Sequence, residues 1–231
     1  MALDFSTVMT GHFGQLIIEG TVTTLELALG AWLLAMFIAL FLVVIRLTHY
    51  RVAQWFVAAY VSYHRNVPTL IQLMMWYFAI PTLLPEDLQM WINDYNAEFI
   101  FSMIALGLCQ AAYFSEDIRS GLRAIPDGQT EAARALGMGY IRAMKLVILP
   151  QGIRNALPSV INHSVLLFKN TSLAMVIGVA ELTYITRDIE NQTFRTFEAY
   201  VVATLGYLAF SLLLMGAGAL LARHFQRVYA R

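Results

Sequence analysis

Two uncharged apolar runs constrain this chain more than any other feature. Leu27 to Ile45 lies between Glu26 and Arg46 and is 19 residues long; Ala199 to Ala222 lies between Glu198 and Arg223 and is 24 long. A hydrocarbon core of about 30 Å is crossed by roughly 20 helical residues. Inside lipid every backbone N–H and C=O must find its partner within the segment or a closed barrel, so runs of this length read as spanning helices. Only 13% of the residues are charged, where soluble domains carry about 25%. Most of the surface therefore faces lipid, and the 231 residues suit one membrane domain, 1–231.

Three further segments extend the pattern. Phe99 to Ser115 is 17 uncharged residues. Val52 to Ile80 contains His64, Arg65, Asn66 and Pro68, and Leu157 to Val179 contains Asn162, His163, Lys169 and Asn170. Both are long enough to cross, giving five transmembrane helices in an all-α fold. Pro68 should kink the second, because it has no N–H and its ring clashes with the preceding turn. Small residues such as Gly107, Ala111, Gly206, Gly216 and Gly218 permit close helix contact.

Charge placement predicts orientation. Arg46, Arg51, Arg119, Arg123, Arg134, Arg142, Lys145, Arg154, Arg223, Arg227 and Arg231 fall on one side of five spans. Asp4, Glu86, Asp87, Asp94, Glu98, Asp188, Glu190 and Glu198 fall on the other, against only Arg187 and Arg195. The positive-inside rule then places the N-terminus outside and the C-terminus in the cytoplasm. Met1 to Gly14 has no positive residue ahead of an apolar core, so no cleaved signal peptide is expected. The net charge of zero gives no reason to expect a nucleic-acid partner. The single Cys109 cannot form an internal disulfide and reads as a packing residue.

The stretch from about 116 to 154 is polar and lies on the predicted cytoplasmic side. Asp127 is placed to cap a short helix over Gln129 to Met138. Gly137 and Gly139 break it, Tyr140 to Val147 forms a second helix, and Pro150 ends that one. Such a hairpin either docks a soluble partner or lies flat on the bilayer surface.

Its residues favour the partner. Glu131-Ala132-Ala133, then Gly137, then Val147 and Leu149-Pro150, with Gly128-Gln129 ahead, resemble the cytoplasmic EAA loop of ATP-binding-cassette importer permeases, which usually carry Ile where Val147 stands. Arg65-Asn66-Val67-Pro68-Thr69-Leu70 with Gln72, Ala111-Ala112-Tyr113-Phe114-Ser115-Glu116, and Lys169-Asn170-Thr171-Ser172-Leu173 are similar to the polar amino acid branch of that family. The resemblance runs from about Gly20 to the C-terminus. It implies a permease of the methionine-importer type in a bacterial cytoplasmic membrane. It also implies a second permease subunit, identical or paralogous, a dimer of cytoplasmic ATPases that bind ATP and Mg, and an extracytoplasmic amino-acid-binding protein.

The chain has no glycine-rich phosphate loop followed by Lys-Ser or Lys-Thr, so neither catalytic residues nor a metal or cofactor of its own is expected. Coupling to the ATPase is expected at Gly128, Gln129, Glu131, Ala132, Ala133, Gly137, Leu149 and Pro150. Polar groups at membrane depth are costly and usually face a cavity or a partner. Arg65, Asn66, Gln72, Asn162, Lys169, Asn170, Thr171 and Ser172 are therefore candidates for a substrate path, against the plainer reading of snorkelling cations and helix–helix hydrogen bonds. Many relatives have Asp where Asn170 stands. Two cations without a deep acid favour an acidic amino acid, glutamate or aspartate, ahead of glutamine. Two other classes compete: a channel or secondary transporter, and a haem anchor ligated by His64 and His163.

Overall fold

The computed structural model describes residues 3–48 and 50–228. Arg231 of the basic tail lies outside the described residues, as does the side chain of Arg227. After a single turn, α1 (Ser6–Met9), the long helix α2 (Gly11–Leu47) runs unbroken through both Glu19 and Glu26. Then come α3 (Arg51–Asn66) and α4 (Thr69–Met74), the latter continued by a π turn (Met75–Ala79) and a 3-10 turn (Ile80–Leu83). The short α5 (Glu86–Asp94) leads into α6 (Ala97–Arg123), and α7 (Asp127–Ala135) follows. One continuous rod comprises α8 (Tyr140–Ala143), a π segment (Met144–Ile148), α9 (Leu149–Asn170) and a 3-10 turn (Thr171–Ile177). The chain closes with α10 (Leu182–Thr193) and α11 (Thr196–Val228).

Among the described residues, four helices are long and apolar enough to cross a membrane: Gly11–Leu47, Ala97–Arg123, Tyr140–Ile177 and Thr196–Phe225. The segment expected as a second span, 52–80, is instead two pieces. Val67 and Pro68 are extended (ψ 131° and 134°) and separate α3 from α4. A residue before proline is driven from the α region by the pyrrolidine Cδ, so the kink expected at Pro68 becomes a break.

The buried side chains explain the arrangement. On α2 they fall at Gly20, Thr24, Leu27, Ala31, Ala35 and Ala39, a three-and-four spacing that draws one stripe along the helix. The stripe is mostly small, so α6 packs closely against it. Leu27, Ala31, Leu73, Leu106 and Leu167 meet in the central core, and Ala35, Ala39, Ala111 and Phe114 form the next layer. Trp32 donates its indole N–H to Ser164 Oγ (2.8 Å), tying α2 to α9. At Gly121 a Cβ would lie 2.5 Å from the carbonyl oxygen of Gly152, so only glycine permits this crossing of α6 and α9. Outward faces stay apolar, with Leu29, Phe37 and Phe41 on α2 and Leu208, Leu213 and Leu220 on α11 exposed, as a lipid-facing surface requires.

Glu181 closes the opposite end from α7. It is completely buried and accepts from the N–H of Thr183 (2.9 Å), the N–H of Tyr184 (2.9 Å) and the hydroxyl of Tyr207 (2.7 Å). It thus caps α10 and joins it to α11. Thr24 Oγ1 accepts from Leu182 N–H (3.0 Å) and adds α2 to the same joint.

Candidate functional site

The polar hairpin is built from helix ends. Glu116 and Arg119 belong to α6, and Leu149 to Arg154 belong to α9, so the part standing apart from the long helices is 124–139. Pro126, not Asp127, occupies the cap of α7 and no side chain caps it; Asp127 is the first helical residue, where its charge suits the helix N-terminus. At the other end Gly137 N–H donates to Arg134 O (2.9 Å) and Met138 N–H to Ala133 O (3.1 Å), with Gly137 at φ +74°. This is a Schellman closure, and its left-handed position favours glycine.

Pro150 does not end a helix, contrary to the sequence-based expectation. The helix runs on through it: Ile148 and Leu149 keep helical φ/ψ, and the π turn at Met144–Ile148 widens the preceding turn so that a ring with no N–H to donate is accommodated. Of the expected coupling residues, Gly128, Gln129, Glu131, Ala132 and Gly137 are exposed and Ala133 is buried against the hairpin. Leu149 and Pro150 are half-buried at the root of α9. Gln129 Oε1 accepts from Gln151 Nε2 (3.1 Å), pinning α7 to that root. Leu136, Tyr140, Ile141 and Leu146 project at 61–77% exposure, an apolar tip larger than the Ala132/Ala133 pair suggested.

The candidate path residues fall into separate groups. Arg65 and Asn66, at the end of α3, share a cleft of about 450 Å³ with Arg46, Ser62, Glu116 and Arg119. Glu116 accepts from Arg46 (2.9 Å) and from Arg119 Nε (3.1 and 3.0 Å). The Arg65 guanidinium lies over the ring of Tyr113, 5.4 Å from its centroid. Tyr113 in turn packs on His163 (5.0 Å), whose Nδ1 is 2.6 Å from Asp117 Oδ2. An aromatic and charged chain therefore connects α3, α6 and α9. Sequence reading singled out Arg65 but missed Arg46, Tyr113 and Asp117 as its surroundings.

The remaining candidates lie elsewhere. Lys169 is exposed and does not line that cleft. Thr171 is fully buried and donates to Phe168 O (2.6 Å), while Ser172 donates to Lys169 O (2.8 Å); both satisfy carbonyls at the end of α9. Asn162 borders a separate cavity between α9 and α11, and Asn170 is half-buried beside Thr171. Gln72, expected on the path, is completely enclosed. Its amide donates to the carbonyls of Val67 (2.7 Å) and His64 (3.0 Å), which the Pro68 break leaves without helical partners.

The haem reading fails on His64. His64 is buried, its Nδ1 held by Gln72 Oε1 (2.5 Å), and its ring lies 4.4 Å from the Tyr60 ring and 4.9 Å from the Tyr63 ring. That packing leaves no space for a porphyrin beside it.

Residues 33–227 match the family described as binding-protein-dependent transport system inner membrane component. The chain belongs to this family. It is therefore a membrane permease of an ATP-binding-cassette importer, working with an ATPase partner that hydrolyses ATP and with a second permease subunit. The permease is 31% identical over 201 residues to the glutamate/aspartate import permease protein GltJ of Escherichia coli strain K12, covering 85% of this chain and 82% of GltJ. It is 32% identical over 218 residues to the arginine transport system permease protein ArtQ of Bacillus subtilis strain 168, covering 94% and 95%. Its fold matches a crystal structure of an amino acid ABC transporter with histidines at a TM-score of 0.85 and 30% identity, covering 97% of this chain and all of that one. The inward-facing MetNI methionine transporter superposes at 0.71 and 17% identity, covering 94% and 99%, a likeness of fold.

Proposed function

We propose that this permease carries an acidic amino acid, glutamate or aspartate, across a bacterial cytoplasmic membrane. The observation that carries the reading is the cleft at the end of α3, where three guanidiniums, those of Arg46, Arg65 and Arg119, meet one carboxylate, that of Glu116. Two positive charges are left over in a partly enclosed site. Such a site attracts an α-carboxylate together with an acidic side chain and repels a cationic cargo. GltJ, a glutamate/aspartate permease, and ArtQ, an arginine permease, are about equally similar to this chain, so the choice rests on the cleft. Glutamine or another neutral polar amino acid is the second reading, because Glu116 already engages Arg46 and Arg119 and leaves Arg65 alone for the cargo.

In this reading the chain crosses five times, N-terminus outside, with the broken α3–α4 pair as the second crossing. The hairpin at 124–139 docks on the ATPase dimer, where ATP and Mg bind, and an extracytoplasmic binding protein delivers the cargo to the opposite face. Coupling requires that the outward and inward permease orientations contact the two ATPase states differently. The projecting tip of Leu136, Tyr140 and Ile141 and the exposed Glu131 supply such contacts. The experiment is ATP-dependent uptake in proteoliposomes holding the permease pair, the ATPase and the binding protein, with labelled glutamate, glutamine and arginine compared. Arginine uptake exceeding glutamate uptake would reject the acidic assignment.

A further inference from the structure

A second cavity, of about 660 Å³, opens at the end of the bundle that carries the hairpin; it shares Arg46 and Arg119 with the cleft at the end of α3, but Arg51 and Arg123 line it alone and serve neither coupling nor cargo. Arg46 from the last turn of α2, Arg51 from the start of α3, and Arg119 and Arg123 from the end of α6 all line it. Glu116 holds Arg46 and Arg119. Among the described residues no carboxylate reaches ion-pair distance of Arg51 or Arg123, and the buried Nε of Arg46 has no hydrogen-bond partner. Beneath these charges the walls are apolar, with Val43, Leu122 and Ile148. Trp55 stands at the edge at 72% exposure, beside Leu47 at 48%.

We propose that this cavity holds the headgroup of an anionic phospholipid from the surrounding leaflet. Arg51 and Arg123, two guanidiniums that meet no carboxylate, call for a negative ligand, and the apolar walls call for an attached hydrocarbon. A free phosphate would satisfy the first and leave the second wet. An acidic segment of a protein partner would satisfy the first, yet the exposed Trp55 and Leu47 lie at the ends of the membrane helices, where tryptophan sits at the headgroup level. Basic pockets between membrane helices recognise anionic headgroups, each arginine near the surface raising affinity about fivefold. The lipid would also hold the α2–α3 corner against the end of α6, just ahead of the hairpin.

The test uses the assembled importer, permease pair with ATPase, released from nanodiscs that contain equal phosphatidylglycerol and phosphatidylcholine, with retained lipid read by native mass spectrometry. The wild type is expected to retain phosphatidylglycerol selectively, and millimolar glycerol 3-phosphate is expected not to displace it. Arg51→Gln/Arg123→Gln should lower that selectivity by roughly twentyfold, and Arg51→Lys/Arg123→Lys should keep most of it. Equal retention of the two lipids by the wild type overturns the proposal even if the double variant does not assemble. Unchanged selectivity in an assembled glutamine variant overturns it too. Displacement by glycerol 3-phosphate would assign a soluble anion instead, and cross-linking of Arg51→Cys to the ATPase would assign a protein contact.

Discussion

Gln72 holds His64 from both ends: its Oε1 lies 2.5 Å from the His64 ring Nδ1 and its Nε2 donates to the His64 carbonyl at 3.0 Å. The pair spans the gap that Pro68 opens between α3 and α4. Deep in a membrane protein, unpartnered carbonyls cannot turn to water, so a side chain must replace the missing helical N–H groups. Gln72→Leu fills the same space and removes every one of those bonds. It is expected to lower stability by about 2–4 kcal/mol, read as a fall in thermal midpoint in detergent. A variant of unchanged midpoint but reduced uptake would instead put Gln72 on the cargo path.

Gly137 is expected to act through its backbone. Nothing lies within 4 Å of where its Cβ would be, so a larger side chain meets no neighbour, yet its φ of +74° penalises any L-residue and a β-branched one most. Gly137→Asn, which tolerates that region, should retain most transport. Gly137→Val should lose about fivefold to thirtyfold, on a strain of roughly 1–2 kcal/mol that re-aims the hairpin. Membrane insertion should survive in both, and ATPase co-purification should fall only in the valine variant. Equal transport by the two variants would show that the turn does not govern coupling.

The sequence reveals local breaks and turns far better than it reveals the pairings between helices. Gly137 and Pro68 announce themselves locally, because a glycine after a short helix and a proline within an apolar run have few structural uses. The hydrophobic runs likewise marked the long helices, although α2 begins well before Leu27, since Glu19 and Glu26 are carried on a helix that the apolar stripe already fixes. Pairings across helices were not legible. Arg46 and Glu116 are distant in sequence, as are Asp117 and His163, and nothing in either helix specifies its partner. The helix through Pro150 was missed for a different reason: one widened turn absorbs the proline, and no local pattern marks a π segment.

Glu181 gives a pH prediction. Burial is the largest influence on its carboxyl and pushes it above the ordinary range, although the bonds from Thr183, Tyr207 and Tyr184 oppose this. The folded chain therefore takes up this proton at a higher pH than the unfolded chain. The stability linked to it is fully present below about pH 4.5, the ordinary glutamate value, and is lost as pH rises through the raised folded value. Glu181→Gln should flatten that slope while keeping the shape, and Glu181→Ala, which uncaps α10, should cost about 1–3 kcal/mol at any pH. Thermal midpoints between pH 4.5 and pH 8 measure both. A wild-type midpoint that rises across this range by an amount Glu181→Gln abolishes would reverse the assignment.

Arg65 separates the acidic cargo from the neutral one. Its guanidinium is exposed to the cleft and rests on Tyr113, whereas Arg46 and Arg119 are already drawn to Glu116. Removing the charge of Arg65 therefore changes the field felt by a ligand in the cleft without freeing a buried carboxylate. Arg46→Gln or Arg119→Gln would strip Glu116 of a partner and confuse the two effects. A charge a few ångströms from a carboxylate at an effective dielectric near 20 acts with several kcal/mol before hydration is counted, and a net loss of about 1.5–3 kcal/mol corresponds to a rate lower by roughly tenfold to a hundredfold. Glutamate uptake by Arg65→Gln should fall by that factor and glutamine uptake by less than about threefold, because the neutral side chain loses only the share due to its α-carboxylate. Arg65→Lys should recover part of the glutamate rate, since it restores the charge but not the planar stacking on Tyr113. If glutamate and glutamine fall together while the complex still assembles, Arg65 serves the packing of α3 on α6, and the acidic assignment loses the residue on which it chiefly rests.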